Sequence, residues 1–425
     1  MRLRHALPAG LLDAGFASLA RLAIGIYAAR ALTVSDLGAY ALFFSAFVFA
    51  SVVPMQFVLV PAELATIPAA RPERVALLRQ SWRIGMPVSI ATALVASVAA
   101  ALGAEAPTRV LWPLALTMTA CAALTPLQEH VRRVLHLAGI SWHAALVSLV
   151  QLGCVALALL LLARTQVPAI WRPFGALTIA TAVSLGAGLV LTRRRRRPSR
   201  LPRYEMTDLM RSGRWLLAIE AITAGATFLA SVIVTRLDTP EALGYAEAAR
   251  IVGQPIFVLA VGLSAVLNPR AMEAGARRDR AAARHVARPY ALLLAIVGLL
   301  YGALTAAPWW GNPLAELVPQ AYVVAGLVPT TVASFVLFGL PIIPRSELTG
   351  ARRERVLPQV GVVAGVLQCS AALTAVWIGA FARPLGVALF GAILLLGYRY
   401  HQRLVYGSGS RGSSRAGERT GGTRS

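Results

Sequence analysis

Arginine alone draws a topology for this chain. Its 425 residues hold 41 Arg and no Lys, and the Arg gather in every second gap between about twelve apolar stretches. With the N-terminus taken as cytoplasmic, 33 Arg fall in inner segments. Six fall in outer loops, namely Arg30, Arg109, Arg164, Arg172, Arg236 and Arg383, and Arg21 and Arg250 lie inside spans. Translocating cations is opposed by the membrane potential and the insertion machinery. The 33-to-6 split therefore predicts about twelve transmembrane helices with both termini cytoplasmic.

Composition agrees, with 57% hydrophobic and 14% charged residues and a mean hydropathy of +0.66. The fold class expected is all-α, a polytopic membrane protein of two parallel six-helix bundles. A net charge of +23 would fit a nucleic-acid binder in a soluble chain. Here it is spread over inner loops that face anionic membrane lipids, which excludes nucleic acid as a partner. Cys121, Cys154 and Cys369 lie in apolar stretches and read as packing residues; no metal-ligand spacing or cofactor motif is present. The basic start mimics a signal peptide, yet Asp13 and Arg21 interrupt its apolar run, so it reads as a retained first helix.

A span needs about 20 apolar residues. The sequence places spans at 7–29, 38–60, 85–104, 110–127, 141–163, 171–192, 215–237, 243–267, 289–309, 321–342, 357–378 and 384–400. The domains expected are an N-terminal bundle (1–192), an Arg-rich cytoplasmic linker (193–214), a C-terminal bundle (215–406) and a disordered cytoplasmic tail (407–425). A weak repeat crosses the linker. Ala29-Arg30-Ala31-Leu32-Thr33 precedes Leu37-Gly38-Ala39-Tyr40, and Thr235-Arg236-Leu237-Asp238-Thr239 precedes Leu243-Gly244-Tyr245-Ala246. In both, the Arg stands eight residues before the Gly. The second helix of each half also ends alike, at Val60-Pro61 and Asn268-Pro269, before Arg-rich amphipathic stretches at 71–84 and 270–288. Because six spans are an even number, the halves are predicted to be parallel, related by an axis along the membrane normal.

The stretch LLDAGFASLARLAIGIYAARALTVSDLGAYALFFS at 11–45 and the segment AEAARIVGQPIFVLAVGLSAVLNPRAMEA at 246–274 carry a family resemblance. They resemble the first and eighth helices of Wzx-type polysaccharide flippases, in the superfamily that includes the multidrug and toxin extrusion (MATE) carriers. The resemblance implies a bacterial inner-membrane protein that translocates a lipid-linked saccharide. Polysaccharide polymerase and glycosyltransferase partners are implied with it.

Charges inside the bilayer mark function, since each costs about 2.5–3.5 kcal/mol at a helix centre. Arg21 sits on a face of small residues (Ala14, Ala17, Ser18, Gly25, Ala28), where it borders water or snorkels to the outer surface. Glu247, Arg250 and Gln254 share a helix face at i, i+3 and i+7. They form a substrate-binding group with Arg21, or Glu247 and Arg250 make a local ion pair. Asp13 and Glu220 occupy matching places in the two halves. They are candidates for coupling or gating, or else pair with Arg2 or Arg4 and with Arg214. Gln56 and Gln151 line a lumen or join helices. Glu129, Arg132 and Arg133 are expected among the headgroups beyond span four, and Pro54, Pro255 and Pro329 are expected to bend helices.

Three functions are in contention. A flippase would hold pyrophosphate on Arg21 and Arg250, for which the guanidinium fork is suited. A cation-coupled multidrug exporter would prefer carboxylates and aromatics. A membrane glycosyltransferase or polymerase would carry a large outer loop, and none is present. No nucleophile-plus-base arrangement is visible in the sequence, which reads as a non-enzyme.

Overall fold

The computed structural model describes residues 3–66, 71–193, 206–307 and 312–407. The expected tail and most of the expected linker lie outside these residues. Among them there is no strand, as a bilayer requires of an open chain whose backbone groups cannot bond to water. The described residues form twelve principal helices: α1 (Leu3–Ala31), α2 (34–66), α3 (Arg71–Gly103), α4 (Thr108–Leu137), α5 (Ser141–Ala163), α6 (Arg172–Arg193), α7 (Met206–Leu237), α8 (Pro240–Arg277), α9 (Arg280–Ala306), α10 (Leu327–Gly350), α11 (Val356–Ala372) and α12 (Ala382–Gly407); eleven are long and apolar enough to cross a membrane, and α11 is a shorter apolar helix. We call the end carrying the Arg-rich connections the basic end, and the other the far end.

The halves use one packing scheme twice. In the first, α1 packs on α5, α5 on α6, α6 on α4, α4 on α2 and α3, and α3 on α2. In the second, α7 packs on α11, α11 on α12, α12 on α10, α10 on α8 and α9, and α9 on α8. The halves meet where α2 runs along α7 and α8, and where α1 touches α8.

The repeat seen in the sequence has matching structural duties. Thr33 and Thr239 are the N-caps of α2 and α8, accepting from Asp36 N (3.2 Å) and Ala242 N (3.3 Å). Gly38 and Gly244, five residues on, stand where α2 and α8 cross backbone to backbone. A Cβ on Gly38 would lie 1.8 Å from the Pro240 carbonyl oxygen, and one on Gly244 would lie 2.2 Å from that of Val34. Hydrogen is the only side chain that fits either place. The repeated Arg reach across the same seam: Arg30 donates to the Glu316 carbonyl of the 9–10 connection, and Arg236 to the Leu102 carbonyl and Glu105 of the 3–4 connection. Tyr322 adds a bond to the Leu32 carbonyl. Burial, with Asp36 and Tyr245 nearby, pushes its phenol above the ordinary value and keeps it a donor. The far end is thus closed.

Several expected boundaries move. α4 runs ten residues past 127, because Glu129, Arg132 and Arg133 find partners within the protein rather than at headgroups. Pro61 and Pro269 lie inside helices, which continue to Thr66 and Arg277; the 270–288 stretch is divided between α8 and α9. α7 begins at Met206, within the expected linker. α10 starts at Leu327 rather than 321, after a short 3-10 turn at Gln320–Tyr322. α11 stops at Ala372, and a short helix (Ala375–Ile378) and a 3-10 turn lead to α12. Pro329 does not bend a helix; it occupies the first turn of α10, where no intrahelical N–H bond is lost. The break in α10 falls at Leu340 and Pro341 instead. Pro54 leads directly into a π-helical turn, Met55–Leu59, in α2.

The arrangement predicts an accessibility test for the two ends. In a background lacking the three native cysteines, Thr108→Cys should react with an impermeant thiol reagent from outside intact cells. Arg353→Cys should react only after lysis. Reaction of both from one side would overturn the assignment of these connections to opposite ends.

Candidate functional site

A cavity of about 470 Å³ lies between the halves, walled by α1, α2 and α4 on one side and by α7, α8, α10 and α12 on the other. Four of the six residues singled out from the sequence line it: Arg21, Arg250, Gln254 and Glu220. A fifth, Glu247, is fully buried directly behind Arg250. The aromatic rings of Phe257, Phe335 and Phe338 form a wall on the C-terminal side.

Its centre is a three-residue clamp. Arg250 binds Glu247 through both arms, Nε to Oε2 at 2.8 Å and Nη2 to Oε1 at 2.7 Å. Arg383 binds the same Oε2 through Nη1 at 2.9 Å and reaches Ser45 Oγ at 3.2 Å, across the seam between the halves. Arg250 also approaches Gln254 (Nη1 to Oε1 3.4 Å) and lies over the Phe44 ring, 4.8 Å from its centroid. Glu247 supplies one negative charge for two guanidiniums, so the clamp holds one surplus positive charge. Both guanidiniums border the cavity.

The other two cations that line the cavity, Arg21 and Arg133, each face a carboxylate. Arg21 does not snorkel; it pairs with Glu129 on α4. Arg133 is 3.6 Å from Glu63, and Glu220 pairs with Arg345 at 2.7 Å. Over these groups Arg21, Arg133, Arg250, Arg345 and Arg383 face Glu63, Glu129, Glu220 and Glu247, five positive charges against four negative. The surplus belongs to the clamp.

Asp13 takes no part in lining this cavity. Its partner among the described residues is Arg132, whose Nε and Nη2 each donate at 2.8 Å; the expected pairing with Arg2 or Arg4 lies outside the described side chains. Ser148 Oγ (2.5 Å) and His136 Nε2 (3.0 Å) complete its shell. Glu220 likewise pairs with Arg345 rather than Arg214. Of the two amides, Gln56 lines the cavity and Gln151 accepts from Gln128 at 3.2 Å. Asp13→Asn is expected to lower stability by about 3 kcal/mol, because it leaves Arg132 buried without its counter-charge. It should leave the pH dependence of transport unchanged, which parallel melting and transport assays would check.

Sequence reasoning missed Arg383, Ser45 and Glu129. Arg383 counted as an outer-loop residue, yet α12 starts at Ala382 and draws it into the protein, with 7% of it exposed. A lone Arg on the side where Arg is scarce was the available signal. The structure also joins Ser81, His130 and Glu63, with Ser81 Oγ to Nε2 at 3.0 Å and Nδ1 to Oε1 at 2.7 Å. This resembles a nucleophile–base–acid chain, but Ser81 and His130 have no exposed surface. It ties α2, α3 and α4 together.

No protein-family model matches the sequence, and no curated protein matches it. Solved structures do match its fold. An inward-facing conformation of a multidrug resistance MATE family transporter of the MOP superfamily aligns at TM-score 0.70 and 14% identity, over 92% of this chain and 95% of that one. An outward-facing conformation aligns at 0.65 and 12%, over 94% and 95%. A MOP superfamily transporter from Pyrococcus furiosus, for which a reversed polarity of the binding pocket is taken to suggest a different function, aligns at 0.67 and 14%, over 94% of each chain. The fold is that of MATE transporters.

Proposed function

We propose that this protein is a flippase that carries an undecaprenyl-pyrophosphate-linked oligosaccharide across the bacterial inner membrane by alternating access, for surface polysaccharide assembly. The basic end and both termini face the cytoplasm, and polymerase or glycosyltransferase partners dock there. One observation carries the reading: two guanidiniums share a single buried carboxylate at the wall of the central cavity and retain a positive charge. Such a site attracts an anion with several oxygens, because Arg forks make charge-assisted bonds to phosphate. The saccharide would occupy the cavity beside the Phe257, Phe335 and Phe338 wall, and the lipid tail would stay in the bilayer. The reversed pocket polarity described for the Pyrococcus furiosus transporter, taken to suggest a different function, is a precedent for a change of function within this fold.

A multidrug exporter of cationic compounds is the competing reading. The carboxylates it would use, Glu129 and Glu220, are already held by Arg21 and Arg345. A ligand-dependent melting assay on the detergent-purified protein separates the two. Undecaprenyl pyrophosphate should raise the melting temperature of the wild type and not of Arg383→Gln. Stabilisation by lipophilic cations alone would favour the exporter.

The surplus charge also bears on driving force. An anionic cargo moving outward across an inside-negative membrane gains about 2.3 kcal/mol per charge per 100 mV. In proteoliposomes, a valinomycin-set potassium potential should change the translocation rate at equal pH on both sides. A response to a proton gradient alone, lost in Glu220→Gln, would make that acid the coupling site and contradict the potential-driven scheme.

A further inference from the structure

The first three turns of α9 carry cations that the transport site does not use. Arg280, Arg284 and Arg288 are exposed and recur every four residues, so they lie on one stripe of the helix. The stripe continues without a break into Leu292 and Ile296 and ends at Leu299 and Leu300, which are likewise exposed. The face turned away from Arg284 and Arg288 packs inward through Ala283, Tyr290 and Leu294. Among the eleven long spans, α9 has the smallest buried share, so most of its surface meets lipid.

Neighbouring acids do not neutralise the stripe. Glu273 is held by Arg277 at 2.6 Å. The Asp279 carboxylate caps α9, accepting from Ala281 N and Ala282 N at 2.9 and 3.0 Å. Among the described residues, no ion pair joins Arg280, Arg284 or Arg288 to a carboxylate. Their charge is open to the headgroup layer of the leaflet at the basic end.

The lengths match one phospholipid. Arg288 and Leu300 are twelve residues apart, about 18 Å along a helix at 1.5 Å per residue, and one leaflet of hydrocarbon is about half of 30 Å. Arg284 and Arg288 are i, i+4 neighbours, roughly 6 Å apart at Cβ, and can clasp one phosphate between them.

We infer that α9 is a docking site for an anionic phospholipid of the basic-end leaflet. Its headgroup lies between Arg284 and Arg288, with Arg280 beside it, and its acyl chains lie along Leu292, Ile296 and Leu300. Charge complementarity selects the occupant, since a lipid with net negative charge gains from three unneutralised guanidiniums and a zwitterionic one does not. This site faces the bilayer and is independent of the cargo reading.

The test uses the full chain reconstituted in phosphatidylcholine vesicles with or without phosphatidylglycerol, then extracted gently for native mass spectrometry. Wild type should retain a phosphatidylglycerol molecule and show a higher melting temperature in the mixed vesicles. Arg284→Gln/Arg288→Gln should weaken retention, by roughly fivefold for each Arg removed, and should erase the melting shift. Arg352→Gln/Arg353→Gln, which removes the same charge elsewhere at the basic end, should change neither. Equal retention by the α9 variant, or equal loss in the Arg352/Arg353 variant, would overturn the site. All four positions are exposed, so both variants can be compared as folded proteins.

Discussion

Glu247→Gln is expected to destabilise the protein by about 3–5 kcal/mol, because it leaves Arg250 and Arg383 facing each other without their shared counter-charge. Arg383→Gln should instead spare the fold and impair transport. It retains the two-armed Arg250–Glu247 pair, so the protein stays folded while the surplus positive charge disappears. Transport should then fall about tenfold to hundredfold, the equivalent of one charged hydrogen bond worth about 1.5–3 kcal/mol. Arg383→Lys should be intermediate, since a point charge keeps the attraction and loses the fork. The double variant Glu247→Gln/Arg383→Gln restores the net charge of the clamp and should recover part of the stability lost in Glu247→Gln. Thermal melting read beside transport separates these effects. Equal stability in all four variants would mean that Glu247 does not hold the clamp together.

The second large effect belongs to the seam at the far end. Gly38→Ala is expected to abolish transport in a folded protein, and Gly244→Ala to do the same. A Cβ at either place would sit 1.8 or 2.2 Å from a carbonyl oxygen, so α2 and α8 could not close there. The variants should stay open at the far end. The cavity residue substitution Thr227→Cys, in the background without native cysteines, should then become reactive from outside, and should be protected when glycine is present. Arg30→Ala and Arg236→Ala should act in the same direction but weakly, since Arg236 and Glu105 are about half exposed and such pairs contribute about 1 kcal/mol or less. Normal transport by Gly38→Ala would show that this contact is not part of the cycle.

How much of this could be read from sequence depends on whether the information is local. The alternation of Arg-rich and Arg-poor gaps depends on consecutive loops, and the twelve expected spans follow from it. The Glu247–Arg250–Gln254 face follows from helical spacing alone, and the structure has that pairing. Arg21 is different: its partner Glu129 is 108 residues away, and no periodicity brings them together. The same holds for Asp13 with Arg132, and for Glu247 with Arg383, which are 136 apart. Span four also looked too short, because its Glu and Arg imitate a loop when their partners on α1 and α2 are unknown. The Arg–Thr–Gly repeat was visible as a duplication. Its duty at the crossing of α2 and α8 needed the packing of one half against the other.

The central claim is that the surplus charge of the clamp recognises an anionic cargo. Its most direct test is translocation of a fluorescent undecaprenyl-pyrophosphate-linked oligosaccharide into proteoliposomes, compared with a neutral lipid-linked saccharide of the same length. The wild type should move the pyrophosphate-linked compound and discriminate against the neutral one. Glu247→Gln/Arg250→Gln/Arg383→Gln removes both guanidiniums together with the buried carboxylate they share, so it should keep its fold while losing both rate and discrimination. Equal rates for the two lipids in the wild type, or full pyrophosphate-lipid transport by the triple variant, would contradict it.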